Sequence, residues 1–203
     1  MEISAGDLNP EQAYRLLTGI IVPRPIAWIT TMSPAGGVNL APFSHFTFVS
    51  VAPPMLGISI GRRGESQKDT GENILREGDF VAHIADVNSV ADVHRSAIEY
   101  PVDVSEVEIL GLETLRSRFV KPPRLACAPI GLECRLSQCI ELGRRRTRLV
   151  IGEIVHIHVR DGLMCNGKIE TQDLRPLARL GGPKYATIGE IISMQPIPRT
   201  TKR

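Results

Sequence analysis

The stretch Pro23–Ile60 constrains this chain most, because it cuts short β-prone segments apart with proline and glycine. Ile26–Thr31 (IAWITT) reads as one strand and Ser33-Pro34-Ala35-Gly36-Gly37 as a turn. Val38–Leu40 is a brief returning strand, and Phe46–Val51 and Met55–Ile60 are two more. Strands this short, joined by tight turns with no room for a crossover helix, argue for a barrel or sandwich rather than βαβ units.

The remaining segments decorate that β core. Asn9 is a good N-cap, Pro10 suits the first helical position, Gln12 can close a capping box, and Gly19 is the expected stop. A second helix is expected over Asp69–Arg76, capped by Asp69 with Glu72 as box partner or by Thr70, and ended by Gly78. Phe80–Ala85 reads as a strand, Ser89–Ala97 as a short helix and Pro101–Lys121 as an irregular excursion ahead of Pro122-Pro123. Ile130–Leu142 and Arg148–Val159 read as a long hairpin with the basic tip Gly143–Thr147. From Pro176 the chain is expected to wrap the barrel. The reading is one domain over residues 1–203, with an N-terminal helix in 1–20 and a C-terminal wrap in 176–203.

Composition narrows the classes of function. A chain of 203 residues removes about 70% of its unfolded surface from water, enough for a sizeable core. Aromatics are only 4% of the chain, too few for a base-stacking platform. The basic clusters Arg62/Arg63, Arg144–Arg148 and Arg199–Arg203 are interleaved with 22 acids, so no duplex-binding face is expected. No apolar run is long enough to span a bilayer, and Met1–Asn9 lacks the apolar core of a leader, so a cytoplasmic protein is expected. Cys127, Cys134, Cys139 and Cys165 fit no zinc spacing, so no metal is expected. Cys127 and Cys134 read as buried packing residues.

Three segments carry candidate chemistry, each with a plainer alternative. Ser66-Gln67-Lys68-Asp69-Thr70 stands at a helix mouth, where free N–H groups and the helix dipole favour a phosphate. Lys68 adds charge, Ser66 and Thr70 add donors, and Arg62 and Arg63 lie just upstream; an ordinary capped surface helix also fits. In Pro23–Ser44, Pro25 and Pro42 interrupt the ladders, and the small residues near Ala41 would let a flat ring approach the main chain. An irregular edge strand is the alternative. Arg179-Leu180-Gly181-Gly182-Pro183-Lys184-Tyr185 makes a tight turn that could close over a pocket or simply hold the C-terminus down.

Taken in order, PRPIAWITT, VNLAPFS, SQKDTGEN and RLGGPKY resemble the pattern of the flavin reductase-like family over roughly Leu16–Gly189. That resemblance implies a mainly β fold with flanking helices, an FMN-binding split β-barrel, assembled as a homodimer with FMN near the subunit interface. It implies that Trp28, Ile29, Thr30, Thr31, Asn39, Leu40, Ala41, Pro42, Phe43 and Ser44 line the isoalloxazine and ribityl chain. It places Arg62, Ser66, Lys68 and Thr70 around the phosphate, with Asp69 in the same binding segment but facing away or capping the helix because its charge would repel a phosphate. It places Asn73 toward the ribityl or phosphate side, and Arg179 and Tyr185 in the closing wrap. The implied activity is NAD(P)H-dependent flavin reduction, with NADH or NADPH as co-substrate and a monooxygenase or other electron acceptor beyond. An electron-transfer protein resembling flavoredoxin, reduced by a partner, is the alternative, and a barrel module without redox activity is another. The cofactor carries the hard chemistry, so no catalytic side chain is assigned. His45, where the family often has an aromatic, is read as a hydrogen-bonded packing residue. His156 and His158 share one strand face that is expected to meet solvent or a groove.

Overall fold

The computed structural model describes residues 1–197. The basic tail 199–203 and the end of the expected wrap lie outside the described residues. Helix α1 (Pro10–Ile20) opens on the expected capping box between Asn9 and Gln12 and runs through Gly19. Seven strands then form one antiparallel sheet: β1 (Ala27–Met32), β2 (Val38–Phe43), β3 (Phe46–Val51), β4 (Pro54–Ile60), β5 (Asp79–Ile84), β6 (Ile130–Leu142) and β7 (Thr147–Val159). Helix α2 (Asp69–Glu77) lies between β4 and β5, and the short helices α3 (Val90–Arg95) and α4 (Glu106–Leu110) follow β5.

The strand order is β2-β1-β5-β6-β7-β4-β3, so β2 and β3 are the two edges of the sheet. Only Ser44 and His45 join those edges along the chain, and Ser59 N–H donates to His45 O at 2.8 Å. The sheet therefore curls until its edges meet, which makes a split barrel. Val38–Phe43 is longer than expected and includes Pro42, which is tolerated because β2 pairs on one side only. The opposite side of β2 is covered: the Glu106 carboxylate accepts Leu40 N–H at 2.9 Å, and Ser105 Oγ donates to Val38 O at 2.7 Å.

Two cores result. Inside the barrel, Ile29, Phe43, Leu56, Ile58, Phe80, Ala82 and Val150 pack with Ile74 of α2. Outside β1 and β2, Trp28, Leu40, Ala85, Val93, Val107 and Leu125 form a second core under α3 and α4. Gly152 marks how tight the first core is, since a Cβ there would run into the Phe80 ring. The expected hairpin is present, with Thr147 already in β7, and the excursion before it contains α4. The cysteines are free; Cys134 is buried, but Cys127 is exposed, contrary to its reading as a packing residue. It sits in a surface loop between the half-buried Ala126 and Ala128, where partial burial still pushes the thiol's pKa up. Among the described residues no helix is long and apolar enough to cross a membrane.

Candidate functional site

A small hairpin, Arg62–Arg63 against Ser66–Gln67 with Gly64 at positive φ in its turn, delivers the chain to α2. Lys68, not Asp69 or Thr70, occupies the N-cap position, and no side chain caps the helix. The expected capping box is absent because Glu72 turns outward to Arg148, at 2.7 Å. Lys68 O accepts from Gly71 N–H and Glu72 N–H, whereas Asp69 and Thr70 N–H find no acceptor among the described residues. An uncapped helix start holds unspent donors and partial positive charge.

Around that start the cations are only partly neutralised. Lys68 is half-buried, 5.4 Å from the centre of the Phe43 ring, and meets no carboxylate among the described residues. Burial pushes its pKa down, Arg63 adds to that, and Glu99 opposes it. Glu99 is itself held by Arg63 at 2.8 Å. Ser66 is exposed and Arg62 half-buried. The Gln67 Oε1 is buried with no partner among the described residues, a missing bond that costs about 1–3 kcal/mol.

Behind this cradle runs a buried amide–hydroxyl network. Asn39 Nδ2 donates to Thr70 Oγ1 at 3.0 Å and to Thr31 Oγ1 at 3.2 Å. Asn73 Nδ2 donates to Thr31 Oγ1 at 3.0 Å, and its Oδ1 accepts from Arg76 at the same distance. Thr31, Asn39, Thr70 and Asn73 thus come together, but as the shared wall of β1, β2 and α2 rather than as open ligand contacts. Thr30 points to the other face and donates to Pro123 O at 2.7 Å. Trp28 is buried there too, its indole N–H donating to Ser96 Oγ at 2.8 Å. Ile29, Leu40 and Phe43 are core residues, while Ala41, Pro42 and Ser44 keep some surface.

Ser44 and His45 lead from the cradle to a cleft of about 440 Å³. Tyr14, Leu17 and Ile21 form its apolar wall, and Ser44, His45 and Phe46 its opposite side. His45 is exposed and makes no ring hydrogen bond among the described residues, which corrects its reading as a packing group. The two-residue turn that closes the barrel has no interior in which to place it. Although the residue keeps surface, partial desolvation of the ring lowers its pKa, and the charges of Arg24 and Lys68 lower it further.

Beneath the cleft, Arg24 is 6% exposed and spends its guanidinium on four partners. It donates to Thr18 O at 2.7 Å, Ile21 O at 2.9 Å, Leu180 O at 3.0 Å and Ser44 Oγ at 3.3 Å. One side chain therefore ties the end of α1, the Ser44–His45 turn and the C-terminal segment together. Arg24 and Gln67 escaped the sequence reading, although Arg24 sits inside the PRPIAW motif. Arg179 pairs with Arg24 across a two-residue ladder, yet its side chain turns to Tyr185 Oη at 2.7 Å, which His94 Nδ1 also meets at 3.2 Å. Arg179 and Tyr185 are thus brought to each other and not to the cradle. His156 and His158 do share one strand face, both half-buried with their rings 4.6 Å apart, and Phe119 lies against His156 at 5.3 Å. In the basic hairpin tip, Arg146 is engaged by Glu141 at 2.7 Å, and Arg144 and Arg145 are exposed.

A family model described as "Flavin reductase like domain" matches residues 19–171. An uncharacterized protein of Halalkalibacterium halodurans is 41% identical over 199 residues, covering 96% of this chain and 95% of its own length. Among solved structures, nitrilotriacetate monooxygenase component B from Bacillus cereus superposes with a TM-score of 0.92 at 35% identity, covering 96% of this chain and 98% of that one. Pseudomonas fluorescens 2-nitrobenzoate 2-nitroreductase superposes with a TM-score of 0.88 at 30% identity, covering 98% and 96%. By matched length, identity and split-barrel architecture together, this chain belongs to the flavin reductase-like family.

Proposed function

We propose that this chain binds FMN and serves as an NAD(P)H-dependent flavin reductase. The observation that carries the reading is an uncapped helix start beside an unpaired, half-buried Lys68, opening toward an apolar cleft. Ser66, Arg62, Lys68 and the N–H groups of Asp69 and Thr70 would hold the phosphate, because donors and positive charge converge there and the nearby Glu99 is engaged by Arg63. The orphaned Gln67 Oε1 supplies an acceptor for a ribityl hydroxyl. Ala41, Pro42, Ser44 and His45 lead from the cradle to the cleft, where a flat ring would lie against Tyr14, Leu17 and Phe46. Bound FMN would supply the hydride chemistry, taking electrons from NADH or NADPH and passing them on. The residues of the chain bind, orient and exclude water. His45 at the mouth offers a ring hydrogen bond, and its surroundings disfavour the charged form.

The same reading includes a homodimer and a monooxygenase or other acceptor as electron partner. Phe48 and Val51 on edge strand β3 are 72% and 80% exposed, and Tyr14, Leu17 and Ile20 extend apolar surface along α1. A second copy would bury such a patch. Nitrilotriacetate monooxygenase component B, so similar across its full length, supports a partner that consumes reduced flavin. The test is an anaerobic mixture of protein, FMN and NADH or NADPH, followed by the visible flavin band. Catalytic bleaching is expected with one of the two nucleotides; an unchanged band with both removes the reductase reading.

A further inference from the structure

We propose that a second cavity, walled by Arg124, His158 and Arg160, binds a small oxyanion, a carboxylate or a phosphate. The cavity is about 280 Å³ and shares no lining residue with the flavin cleft or the phosphate cradle. Its floor is Gly131, where a Cβ would come within 3.8 Å of both the Arg124 and His158 Cβ atoms and 3.6 Å of His83. The missing side chain is what leaves room between the arginine and the histidine.

The polar groups there have unspent donors. Arg124 Nε is buried with no hydrogen-bond partner among the described residues. A guanidinium left short of a bond in this way carries a desolvation cost that an oxyanion would remove. His158 gives its Nε2 proton to the buried Glu133 at 2.6 Å, which fixes the ring against the cavity wall; Nδ1 of the neutral ring is then an acceptor, so the donors facing the cavity are the two guanidinium groups. Arg160 reaches Asp86 at only 3.5 Å, and that carboxylate already accepts from Asn88 N–H at 3.0 Å, Asn88 Nδ2 at 3.2 Å and Ser89 Oγ at 3.4 Å. Asp161 is the one acid lining the cavity, against two guanidinium groups. Planar guanidinium forks match the paired oxygens of carboxylates and phosphates, so the chemistry selects an oxyanion over a halide.

The experiment uses FMN-saturated protein, so that the cradle at Lys68 cannot take the added anion. Inorganic phosphate, acetate and chloride are titrated separately while the ring signals of the five histidines are followed by NMR. A saturable shift of His158 with phosphate or acetate is expected, and the tighter of the two names the oxyanion. Arg124→Gln is expected to weaken it at least about tenfold, the worth of one charge-assisted bond. Gly131→Ala, whose new methyl group meets only ordinary contacts, is expected to weaken it too, with FMN affinity unchanged in both variants. A shift that never saturates, that chloride reproduces equally, or that survives Arg124→Gln overturns the proposal. Because FMN binding is read separately, failure here leaves the flavin reading standing.

Discussion

Replacing Arg24 with Met tests how the cleft is held together. Met keeps most of the length and apolar stem but removes the guanidinium and its four bonds. Hydrogen bonds to a charged group contribute about 1.5–3 kcal/mol each, so a simple sum would exceed 6 kcal/mol. That sum is too large for two reasons. The guanidinium is buried without a carboxylate, so its removal also relieves a desolvation penalty of several kcal/mol. In addition, only the bond to Thr18 O is fully buried, and water can replace the others in part. The expected net loss is about 2–4 kcal/mol, which for a chain of this size lowers Tm by roughly 5–15 °C. Scanning calorimetry measures it, and because the side chain is buried and its partners are uncharged the deficit persists in high salt. Arg24→Lys recovers little, since an ammonium cannot reach three directions with a planar fork. A Tm within about 2 °C of wild type for Arg24→Met, or full rescue by Lys, refutes the reasoning.

Two further outcomes follow from packing and protonation. Gly152→Ala pushes a methyl group into the Phe80 ring between β6 and β4, and overpacking of this kind destabilises by about 1–3 kcal/mol, read from denaturant midpoints. His83 is fully buried, with Nδ1 donating to Trp28 O at 2.7 Å and Nε2 accepting from Leu125 N–H at 2.9 Å. A proton on Nε2 would face that donor, and burial, with Arg124 and His158 nearby, lowers the pKa to about 4. The unfolded chain takes up this proton at higher pH than the native one. Stability is therefore complete above the ordinary histidine range and falls as pH drops from 6.5 toward 4, by about 3 kcal/mol in all. Urea melts across that range on wild type and His83→Gln measure it; equal slopes in the two proteins contradict the assignment.

The barrel was legible because its signals are local. Proline and glycine bracket Phe46–Val51 and the hairpin, and Gly78, at φ 78, ends α2 where a left-handed residue is needed. The start of α2 was legible for the same reason: Ser66 to Thr70 is one continuous segment leading into the helix. What could not be read is which face a buried strand shows to what. Trp28 and Ile29 look alike as apolar neighbours, yet one lies under α3 and the other inside the barrel. Asn39 and Asn73 are polar residues at ligand-like positions, and the structure pairs them with threonines across β1, β2 and α2. Arg24 was opaque because its partner Leu180 O lies 156 residues away, and a carbonyl leaves no trace in sequence. His45 and Cys127 are exposed against expectation because nearby apolar residues do not reveal a turn at a sheet edge or a surface loop.

On the reading proposed above, Lys68 at the start of α2 would hold a flavin by its phosphate. Fluorescence-quenching titrations of FMN and riboflavin against wild type and Lys68→Ala test it most directly. Lys68 is the residue to change, because Thr70 is buried in the Asn39 network and its loss would disturb the wall. The account predicts that Lys68→Ala weakens FMN roughly ten- to hundredfold, the worth of one charge-assisted contact, and leaves riboflavin unchanged. Equal losses for both ligands, or undiminished FMN binding, would contradict it.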